Sequence, residues 1–493
     1  MSNITSVKFR MYNTGSVGDC LLLLFMKDKT IAFKMMIDCG GWNTNSAAIT
    51  PCVKDINTIC NGEIDLLVVT HQHEDHVSGF NQARSEFEKI KVKEVWMSWI
   101  ENKKDAIAIV LKDRYGKKLK ALRKSIEQAL ETFRQSGPAV KGFQARKNMK
   151  VTKMTDALEL VKFEEGVSYA KNLAAGKRTN EDAMNYVKGK TKNIKYRRPG
   201  QVVDNLEGAD GIKFFILGPP RDKDMKYFKI AMEDDEMYHL ALRANAKAAP
   251  EEEEEEPLYT ERLFMNDIAL EDGVSPFSDE YKMAGAEKSH FLKKVYDVKD
   301  MRWRQIETDW LETDAGIAMR VTSLTNNTSL AMAIELPNGK VMLLPGDAQS
   351  GNWLGWHKTD VKLRLKNNGG KDTDELLNDT VFYKVGHHGS HNGTASKSGL
   401  DKIKNENLVA MMPLVQAKVP KEWGGAKNFP AGPLYEELVT KTQGRVIRTD
   451  EGIITMARAK KLRGKLDAAQ KKEFEDMFKK GSCYVEYTVN CKS

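Results

Sequence analysis

Short apolar runs of the length of β-strands divide the first hundred residues. Residues 7–12 alternate between apolar and polar positions, as a strand with one exposed face does. Residues 21–25, 33–37 and 64–69 are mostly apolar, which is typical of strands buried on both faces. Residues 92–99 have the same character. We therefore predict a series of buried strands in this part of the chain.

The same pattern returns in the second half of the chain, after a single apolar run at 212–217. Turn-forming residues follow several of these runs, so that polar side chains stand where strands are expected to end. Strands that alternate with polar, helix-forming segments predict a layered α/β protein. No internal sequence repeat is visible. The predicted strands of this half cover residues 316–323, 329–336, 341–344, 381–385, 408–415, 444–457 and 483–489.

Two long polar stretches interrupt the strands. The first is rich in Lys, Glu and Ala and has helical character at 105–133, and the second contains six consecutive glutamates at 251–256, which predict a flexible joint. A basic helix is predicted at 460–480. The organisation that we predict is a first core half at 1–100, a basic helical insertion at 101–208, a core strand at 209–220, an acidic insertion at 221–315, a second core half at 316–457, and a C-terminal helix and strand at 458–493.

The net charge of +8 conceals an uneven distribution. Residues 101–200 contain 25 Lys and Arg against 11 Asp and Glu, a local balance of +14. Residues 221–320 contain 15 against 25, a local balance of −10. Such segregation indicates either polyanion binding, contact between the two regions, or simply two solvated helical insertions.

Membrane and disulfide signals are weak. No apolar run approaches the roughly 18 residues of a membrane span, so we expect no membrane partner. The first residues lack a basic segment leading into a long apolar core, which favours a cytoplasmic location without a signal peptide. The six cysteines contain no Cys-x-x-Cys pair, and we expect them to be reduced and packed. Cys52 and Cys60 could alternatively pair or bind metal.

The most informative string follows the predicted strand at 64–69. His71, His73, Asp75 and His76 place three imidazoles and a carboxylate within six residues. Alternate positions of an extended loop point the same way, so His71 and His73 can bind one ion, while Asp75 and His76 can turn toward a second. Imidazole with carboxylate suits zinc, and manganese, iron or nickel less selectively. A chance cluster is improbable, because the chain has only nine histidines.

Two later strand ends supply further candidate ligands. Asp347 follows the strand at 341–344 and could bridge two ions, although an Asp in a Gly-Asp turn is common without any metal. His387 and His388 follow the strand at 381–385 beside glycine. One imidazole would bind the second ion and the other could meet substrate or stabilise the leaving group. The sequence leaves open which does which.

These blocks resemble the metallo-β-lactamase superfamily, nearest the branch that contains the extracytoplasmic domain of the competence protein ComEC and phosphorylcholine esterase. The resemblance covers about residues 5–100, 210–220 and 316–457, outside the insertions and the C-terminal helix. Besides the metal string, it is carried by the segments 13–19, 37–41, 327–330, 343–347, 384–390 and 448–452.

The resemblance implies an αββα sandwich with two large, mainly helical insertions, and a centre of two divalent ions that activates a water. In that mechanism Asp75 orients the nucleophile and His388 assists at the reacting group. Two features depart from the family pattern. The only histidines between the first motif and Asp347 are His239 and His290, neither in a Gly-His turn, and no histidine stands near the C-terminal Pro430. Both departures concern how many ions are fully ligated.

The first candidate function is a phosphodiesterase that acts on nucleic acid or nucleotides, and the lysine-rich segment 101–200 favours it. Ser390 and Thr394 could bind phosphate oxygens, although loop solvation is the more common role of such hydroxyls. Lys117 and Lys118 of the basic insertion could contact a phosphate backbone. Two other functions remain open: a small-molecule ester, thioester or lactone hydrolase, and a scaffold subunit whose insertions bind a protein partner in a larger complex.

Overall fold

The computed structural model describes most of the chain. The described residues are 4–135, 178–221, 324–420 and 425–491, with isolated positions between 151 and 161. The predicted strand at 316–323, the glutamate run at 251–256, and His239 and His290 lie outside the described residues.

The chain divides into two compact units. The first contains both β-sheets and the candidate site, and consists of Met1–Leu111, Gly166–Ala249 and Ser323–Ser493. The second consists of Lys112–Glu165 and Pro250–Thr322, and its described residues are helical.

The first sheet has eight strands in the described part of the chain. They are β1 (Ser6–Tyr12), β2 (Cys20–Lys27), β3 (Thr30–Cys39), β4 (Glu63–Val69), β5 (Lys91–Ser98), β6 (Ile194–Arg197), β15 (Phe478–Lys480) and β16 (Tyr484–Asn490). Their order across the sheet is β15-β16-β1-β2-β3-β4-β5-β6. The pairs from β15 to β3 are antiparallel, and those from β3 to β6 are parallel.

The second sheet also has eight described strands. They are β7 (Val202–Val203), β8 (Lys213–Ile216), β9 (Met332–Glu335), β10 (Val341–Leu344), β11 (Thr380–Lys384), β12 (Val409–Met412), β13 (Val446–Arg448) and β14 (Gly452–Ile453). Their order is β14-β13-β12-β11-β10-β9-β8-β7. The three pairs from β10 to β13 are parallel, and the flanking pairs are antiparallel.

The two sheets therefore share one pairing scheme that the sequence did not reveal. In β1 to β6, two antiparallel pairs are followed by three parallel pairs, and β8 to β13 repeat this order. Strands β3 and β4 correspond to β10 and β11. The loops that follow corresponding strands therefore occupy corresponding corners of the two sheets, and these loops carry the predicted ligands.

Helices cover the outer face of each sheet, and apolar side chains fill the space between the sheets. One buried cluster joins Phe9 and Trp96 of the first sheet to Phe214 and Phe382 of the second. A second cluster lies between the first sheet and α1 (Ser46–Cys60), α2 (Glu74–Gln82), α3 (Arg84–Phe87) and α5 (Asn180–Gly189). A third lies between the second sheet and α6 (Ser350–Trp356), α7 (Thr359–Gly369), α8 (Thr373–Asn378), α10 (Gly432–Lys441) and α11 (Ala457–Arg463). The layers are helix, sheet, sheet, helix.

The remaining helices are α4 (Ala106–Gln135), α9 (Gly425–Asn428) and α12 (Ala468–Met477). The prediction of one helix at 460–480 was wrong, because two helices occupy this region. The first ends at Gly464, and Asp467 begins the second by accepting a hydrogen bond from the Gln470 backbone in a capping box. Phe474 of α12 is buried in the cluster between the sheets.

The mixed α/β class predicted from the sequence is confirmed. Residues 178–208, which we assigned to the basic insertion, contribute α5, β6 and β7 to the sandwich. The C-terminal strand β16 pairs with β1 and so belongs to the first sheet. All six cysteines are described, and none forms a disulfide. Within the described residues, no helix has the length and apolar character needed to cross a membrane.

A buried aromatic contact between the sheets gives the first prediction. Phe9 is fully buried, and its ring centroid lies 4.7 Å from that of Phe382 in the opposite sheet. Phe9→Ala should lower the free energy of unfolding by about 3–5 kcal/mol, because it leaves a cavity in the core. Chemical denaturation measures this change. Leu363→Ala is the control, since Leu363 is 57% exposed and its loss should change stability by no more than about 0.5 kcal/mol. Similar losses in both variants would contradict the proposed packing.

Candidate metal centre

The polar residues singled out from the sequence meet at one edge of the sandwich. His71 and His73 follow β4, Asp347 follows β10, and His388 follows β11. Parallel pairing of β3 with β4 and of β10 with β11 brings these strand ends to the same side. Asp19 precedes β2 and reaches the same edge, because Cys20 lies opposite Cys39 at the end of β3.

Four buried residues form the centre of this cluster: Asp75, His76, Asp347 and His388. We call these four residues the central group. The Nε2 atom of His76 lies 3.0 Å from Asp347 Oδ2 and 3.8 Å from Asp75 Oδ2. The Nε2 atom of His388 lies 3.0 Å from Asp75 Oδ2 and 3.3 Å from Asp347 Oδ2. One ligand atom from each residue therefore faces a common point.

The turn that carries Asp347 has little space around it. Gly346 has a φ of 61°, and a Cβ atom there would lie 3.2 Å from Ser329 Cβ and 3.3 Å from Thr70 Cβ. A glycine is therefore needed for this close approach. The backbone N–H of Asp347 donates to Ser329 Oγ at 3.2 Å. This hydrogen bond fixes the backbone position from which the Asp347 side chain extends.

The backbone of the two adjacent histidines separates their rings. His387 and His388 both have left-handed φ values, 45° and 52°, which are strained for residues with a side chain. His388 directs Nδ1 to the carbonyl oxygen of Pro413 at 2.9 Å, so its Nε2 faces the central group. His387 instead contacts the amides of Asn326 and Asn392, at 3.3 and 3.0 Å. The structure thus brings His388, and not His387, into the central group.

His71 and His73 form a second pair of candidate ligands beside the central group. His71 Nε2 lies 3.0 Å from His73 Nδ1, so the two nitrogens could face one cation together. The other nitrogen of His71 contacts the hydroxyls of Thr70 and Ser329, at 3.0 and 3.3 Å. The ring centroids of His71 and His76 are 4.2 Å apart. The pair and the central group are therefore neighbours.

Asp38 supports His76 from the opposite side. Its Oδ2 lies 2.8 Å from His76 Nδ1 and accepts from the Thr70 hydroxyl at 2.6 Å, while its Oδ1 accepts from the Thr70 N–H at 2.8 Å. Asp38 has a φ of 53°, another strained position in this site. A carboxylate that holds the far nitrogen of a ligand imidazole fixes its ring orientation and strengthens its ligating nitrogen.

Electrostatic interactions within the central group are strong. Burial alone would lower the pKa of both histidines, but the Asp347 and Asp75 carboxylates raise the pKa of His76 well above its usual range. Against the same burial effect, Asp347 and Asp75 raise the pKa of His388 to about 10. Burial would raise the pKa of Asp347, yet His76 and His388 hold it well below its usual range. For His71, burial and the neighbouring histidines lower the pKa well below the usual value, which leaves a neutral imidazole.

The residues present fit a divalent metal ion. Ligand atoms about 2.0–2.2 Å from a tetrahedral ion lie about 3.3–3.6 Å from one another. The separations of 3.0, 3.3 and 3.8 Å in the central group are close to this spacing. Asp75 Oδ1 is buried and has no hydrogen-bond partner. Histidine with carboxylate is a donor set of zinc, and the central group could therefore hold a metal ion.

The other predicted site residues have protein partners of their own. The Thr394 hydroxyl is fully buried and shares a hydrogen bond of 2.8 Å with the Tyr383 hydroxyl. Ser390 is buried and donates to Asn392 Oδ1 at 2.7 Å, within the polar surroundings of His387. Lys117 is exposed on α4 and pairs with Asp113 at 3.0 Å. Lys118 also lies on α4.

Three charged residues of the site were not predicted from the sequence: Asp19, Asp38 and Lys384. Each stands within a segment that carries the family resemblance, and each lies at the start or end of a predicted strand. The position of a charged residue at a buried strand end was the available signal, as it was for Asp347. Their role becomes visible only from contacts between strands that lie far apart in the sequence.

Comparison with known proteins gives this chain no family. The sequence matches no protein-family model, and it matches no curated protein.

The raised pKa values of His76 and His388 give a prediction about metal binding. In the metal-free protein the His388 imidazole should be protonated at pH 7.5, because its pKa is about 10, and the raised pKa of His76 favours the protonated ring there as well. Ligation through Nε2 requires the neutral ring, so Zn²⁺ binding should release up to two protons. Affinity should then rise with pH through the neutral range and level off as pH passes about 10, the pKa of His388. Titration calorimetry in buffers of different ionisation enthalpy counts the released protons.

Variants of two histidines make this measurement specific. His388→Ala should weaken Zn²⁺ binding by more than about 100-fold. The loss should be this large because replacing a residue that only supports a metal ligand already lowers metal affinity by about 10–100-fold. Any residual binding should release fewer protons. His357→Ala is the control, since its Nε2 contacts the Ser398 carbonyl oxygen at 2.7 Å and it lies outside the central group. A binding heat that is independent of the buffer, or equal losses in both variants, would contradict the site.

Proposed function

We propose that this chain is a metal-dependent hydrolase of the metallo-β-lactamase superfamily and that it cleaves phosphodiester bonds in nucleic acid or nucleotides. The observation that carries the proposal is the central group, in which two carboxylates and two imidazoles converge in a buried position at the strand ends. Such convergence is costly without a cation and is what metal-assisted hydrolysis requires.

The fold supports the choice of superfamily. The helix, sheet, sheet, helix order is the one that the resemblance implies. The segments 13–19, 37–41, 343–347 and 384–390, which carry the resemblance in sequence, lie around the central group through Asp19, Asp38, Asp347 and His388. Agreement between separate segments at one point in space is stronger support than any one motif.

The protein residues suit hydrolysis in distinct ways. A divalent cation in the central group would supply Lewis acidity toward a phosphoryl oxygen. Asp75 Oδ1, which has no partner, can accept a proton from an attacking water and orient it. His388 directs Nε2 into the group, and we assign it to metal binding. His387 lies beside the group, with its Nδ1 on Asn392 and its Nε2 3.3 Å from Asn326 Nδ2, and we assign it to contact with substrate or the leaving group in exchange for the Asn326 contact.

The basic segment supports a polyanionic substrate. Helix α4 presents Lys117, Lys120 and Lys124 as exposed residues, and their spacing places them on one face. Lysine-rich surfaces supply the sequence-independent part of phosphate-backbone binding. The ester, thioester or lactone hydrolase uses the same central group but would not need this face. A pure scaffold would have no use for buried, mutually repelling carboxylates, so we rank it last.

The hydrolysis proposal predicts a metal-dependent activity that requires Asp75. Full-length protein loaded with Zn²⁺ or Mn²⁺ should cleave a chromogenic phosphodiester, and Asp75→Asn should lower kcat by about 100-fold or more, since it weakens proton acceptance from water. Asp401→Asn is the matched control, because Asp401 is exposed and accepts from Ser396 at 3.1 Å. Hydrolysis of a thioester or lactone panel without phosphodiester cleavage would favour the second enzyme class, and no metal-dependent hydrolysis would refute the proposal.

The nucleic-acid proposal predicts salt-dependent binding through α4. Affinity for DNA or RNA should fall steeply with salt, because each neutralised phosphate releases counterions, at a slope of about 0.9 per contact on duplex DNA. Replacing Lys117, Lys118 and Lys120 by Glu should weaken binding and flatten this slope, while cleavage of the small chromogenic substrate stays unchanged. Replacing Lys460, Lys461 and Lys465 of the C-terminal region by Glu applies the same charge change elsewhere. Equal effects in both triple variants, or binding that is independent of salt, would reject α4 as the nucleic-acid face.

A further inference from the structure

A buried lysine lies beneath the central group and has no role in the proposed chemistry. Lys384 is the last residue of β11 and is 1% exposed. Its Nζ lies 2.5 Å from Asp19 Oδ2, 3.2 Å from the Gly346 carbonyl oxygen and 3.5 Å from Asp347 Oδ1. The contact with Asp19 is an ion pair, while the Gly346 carbonyl oxygen and Asp347 Oδ1 accept hydrogen bonds from the ammonium group.

The surroundings of this ammonium make its position well defined. It borders a small cavity between the two sheets, whose polar walls include Asp19 and Thr70 and whose other walls are apolar, namely Leu21, Ile37, Met332 and Leu344. A charge in such surroundings is poorly hydrated and depends on its direct partners. Lys384 is therefore bound to Asp19 and to the turn that carries Asp347.

The two oxygens of Asp347 have different partners. Oδ1 faces Lys384, while Oδ2 lies 3.0 Å from His76 Nε2 and 3.3 Å from His388 Nε2. If Oδ1 lost its partner, the carboxylate could rotate or present both oxygens to the central group. With Lys384 in place, a single oxygen is presented in a fixed direction.

We propose that Lys384 is a positioning residue, a fixed internal cation that holds Asp347 Oδ1 and so directs Oδ2 toward the metal. The inference rests on the proposed function only in that the central group binds a metal. It assigns Lys384 a role in metal affinity that is separate from the hydrolytic step. Residues that orient metal ligands in this way are typically worth about 10–100-fold in affinity.

Whether metal affinity rises or falls when Lys384 is replaced distinguishes a positioning role from a purely electrostatic one. Removing a positive charge next to a cation site should strengthen metal binding if Coulomb repulsion is all that Lys384 contributes. Loss of positioning should weaken binding instead. The test therefore measures Zn²⁺ affinity of the metal-stripped full chain by competition with a chromophoric chelator, for the parent and for Lys384→Met, which keeps length but loses charge.

We expect Lys384→Met to bind Zn²⁺ about 10–100-fold more weakly than the parent. Lys371→Met is the matched control, because Lys371 also joins two carboxylates and a carbonyl: Nζ lies 2.7 Å from Asp379, 3.0 Å from Glu335 and 2.6 Å from the Gly339 oxygen. It lies at the opposite end of β11 from Lys384 and should leave Zn²⁺ affinity unchanged. Equal affinity in the parent and Lys384→Met, tighter binding in Lys384→Met, or equal losses in both variants would overturn the proposal.

A second variant keeps the proposal testable if Lys384→Met does not fold. Lys384→Met alone leaves Asp19 buried without its cation, which can prevent folding. The double variant Lys384→Met/Asp19→Asn removes both charges, so the net charge near the metal is unchanged. Because Asp19 Oδ1 also lies 3.6 Å from His388 Nδ1, Asp19→Asn alone is the reference, and a further fall in affinity in the double variant reports positioning by Lys384. We expect the same loss of about 10–100-fold relative to Asp19→Asn. Equal affinity in the double variant and Asp19→Asn would reject the role of Lys384.

The outcomes also separate this inference from the proposed function. A parent that binds Zn²⁺ but hydrolyses nothing would refute the hydrolase proposal and leave the Lys384 measurement valid. A parent that binds no Zn²⁺ would refute both. A parent that binds Zn²⁺ and hydrolyses phosphodiesters, with unchanged affinity in the Lys384 variants, would refute this inference alone.

Discussion

Carboxylates buried side by side between two sheets impose the constraint on which the rest of this site depends. Asp19, Asp38, Asp75 and Asp347 are each no more than 2% exposed. Carboxylates removed from water destabilise a fold strongly unless cations or hydrogen-bond donors lie next to them. The surrounding imidazoles, one lysine and a threonine hydroxyl provide those contacts. A divalent cation in the central group would complete this compensation, so metal binding and interior stability are linked.

The repeated strand order explains how this chemistry is assembled from separate parts of the chain. Asp38 lies at the end of β3, and Asp347 follows β10, its counterpart in the second sheet. His71 follows β4, and His388 follows β11, its counterpart. Because the sheets pack face to face across one apolar cluster, corresponding corners meet at a single edge. Ligands are thus concentrated there while the rest of the interface stays apolar.

Backbone strain in the same loops indicates that their shape is dictated by the site. Asp38, His387 and His388 all have positive φ values that side chains rarely adopt. Such conformations persist only where surrounding contacts favour them, and here those contacts are the Thr70 and Pro413 backbones and the amide of Asn392. In the strained pair, the ring of His388 lies in the central group, and the ring of His387 lies beside it among the amides of Asn326 and Asn392. This division leaves His387 outside the group of four residues that could hold a metal ion.

The sequence by itself determined the strand series, the α/β class and the group of residues from His71 to His76, because these depend on periodicity and spacing within a few residues. Tertiary structure alone decided that His388 rather than His387 joins the central group. It also assigned Asp19, Asp38 and Lys384 to the site. The physical reason is that the residues that meet in the site lie far apart along the chain. His388 and Asp75 are 313 positions apart, and His76 and Asp347 are 271 apart, yet each pair lies within 3.0 Å. Contacts of that separation follow from how two sheets pack, which no local pattern encodes.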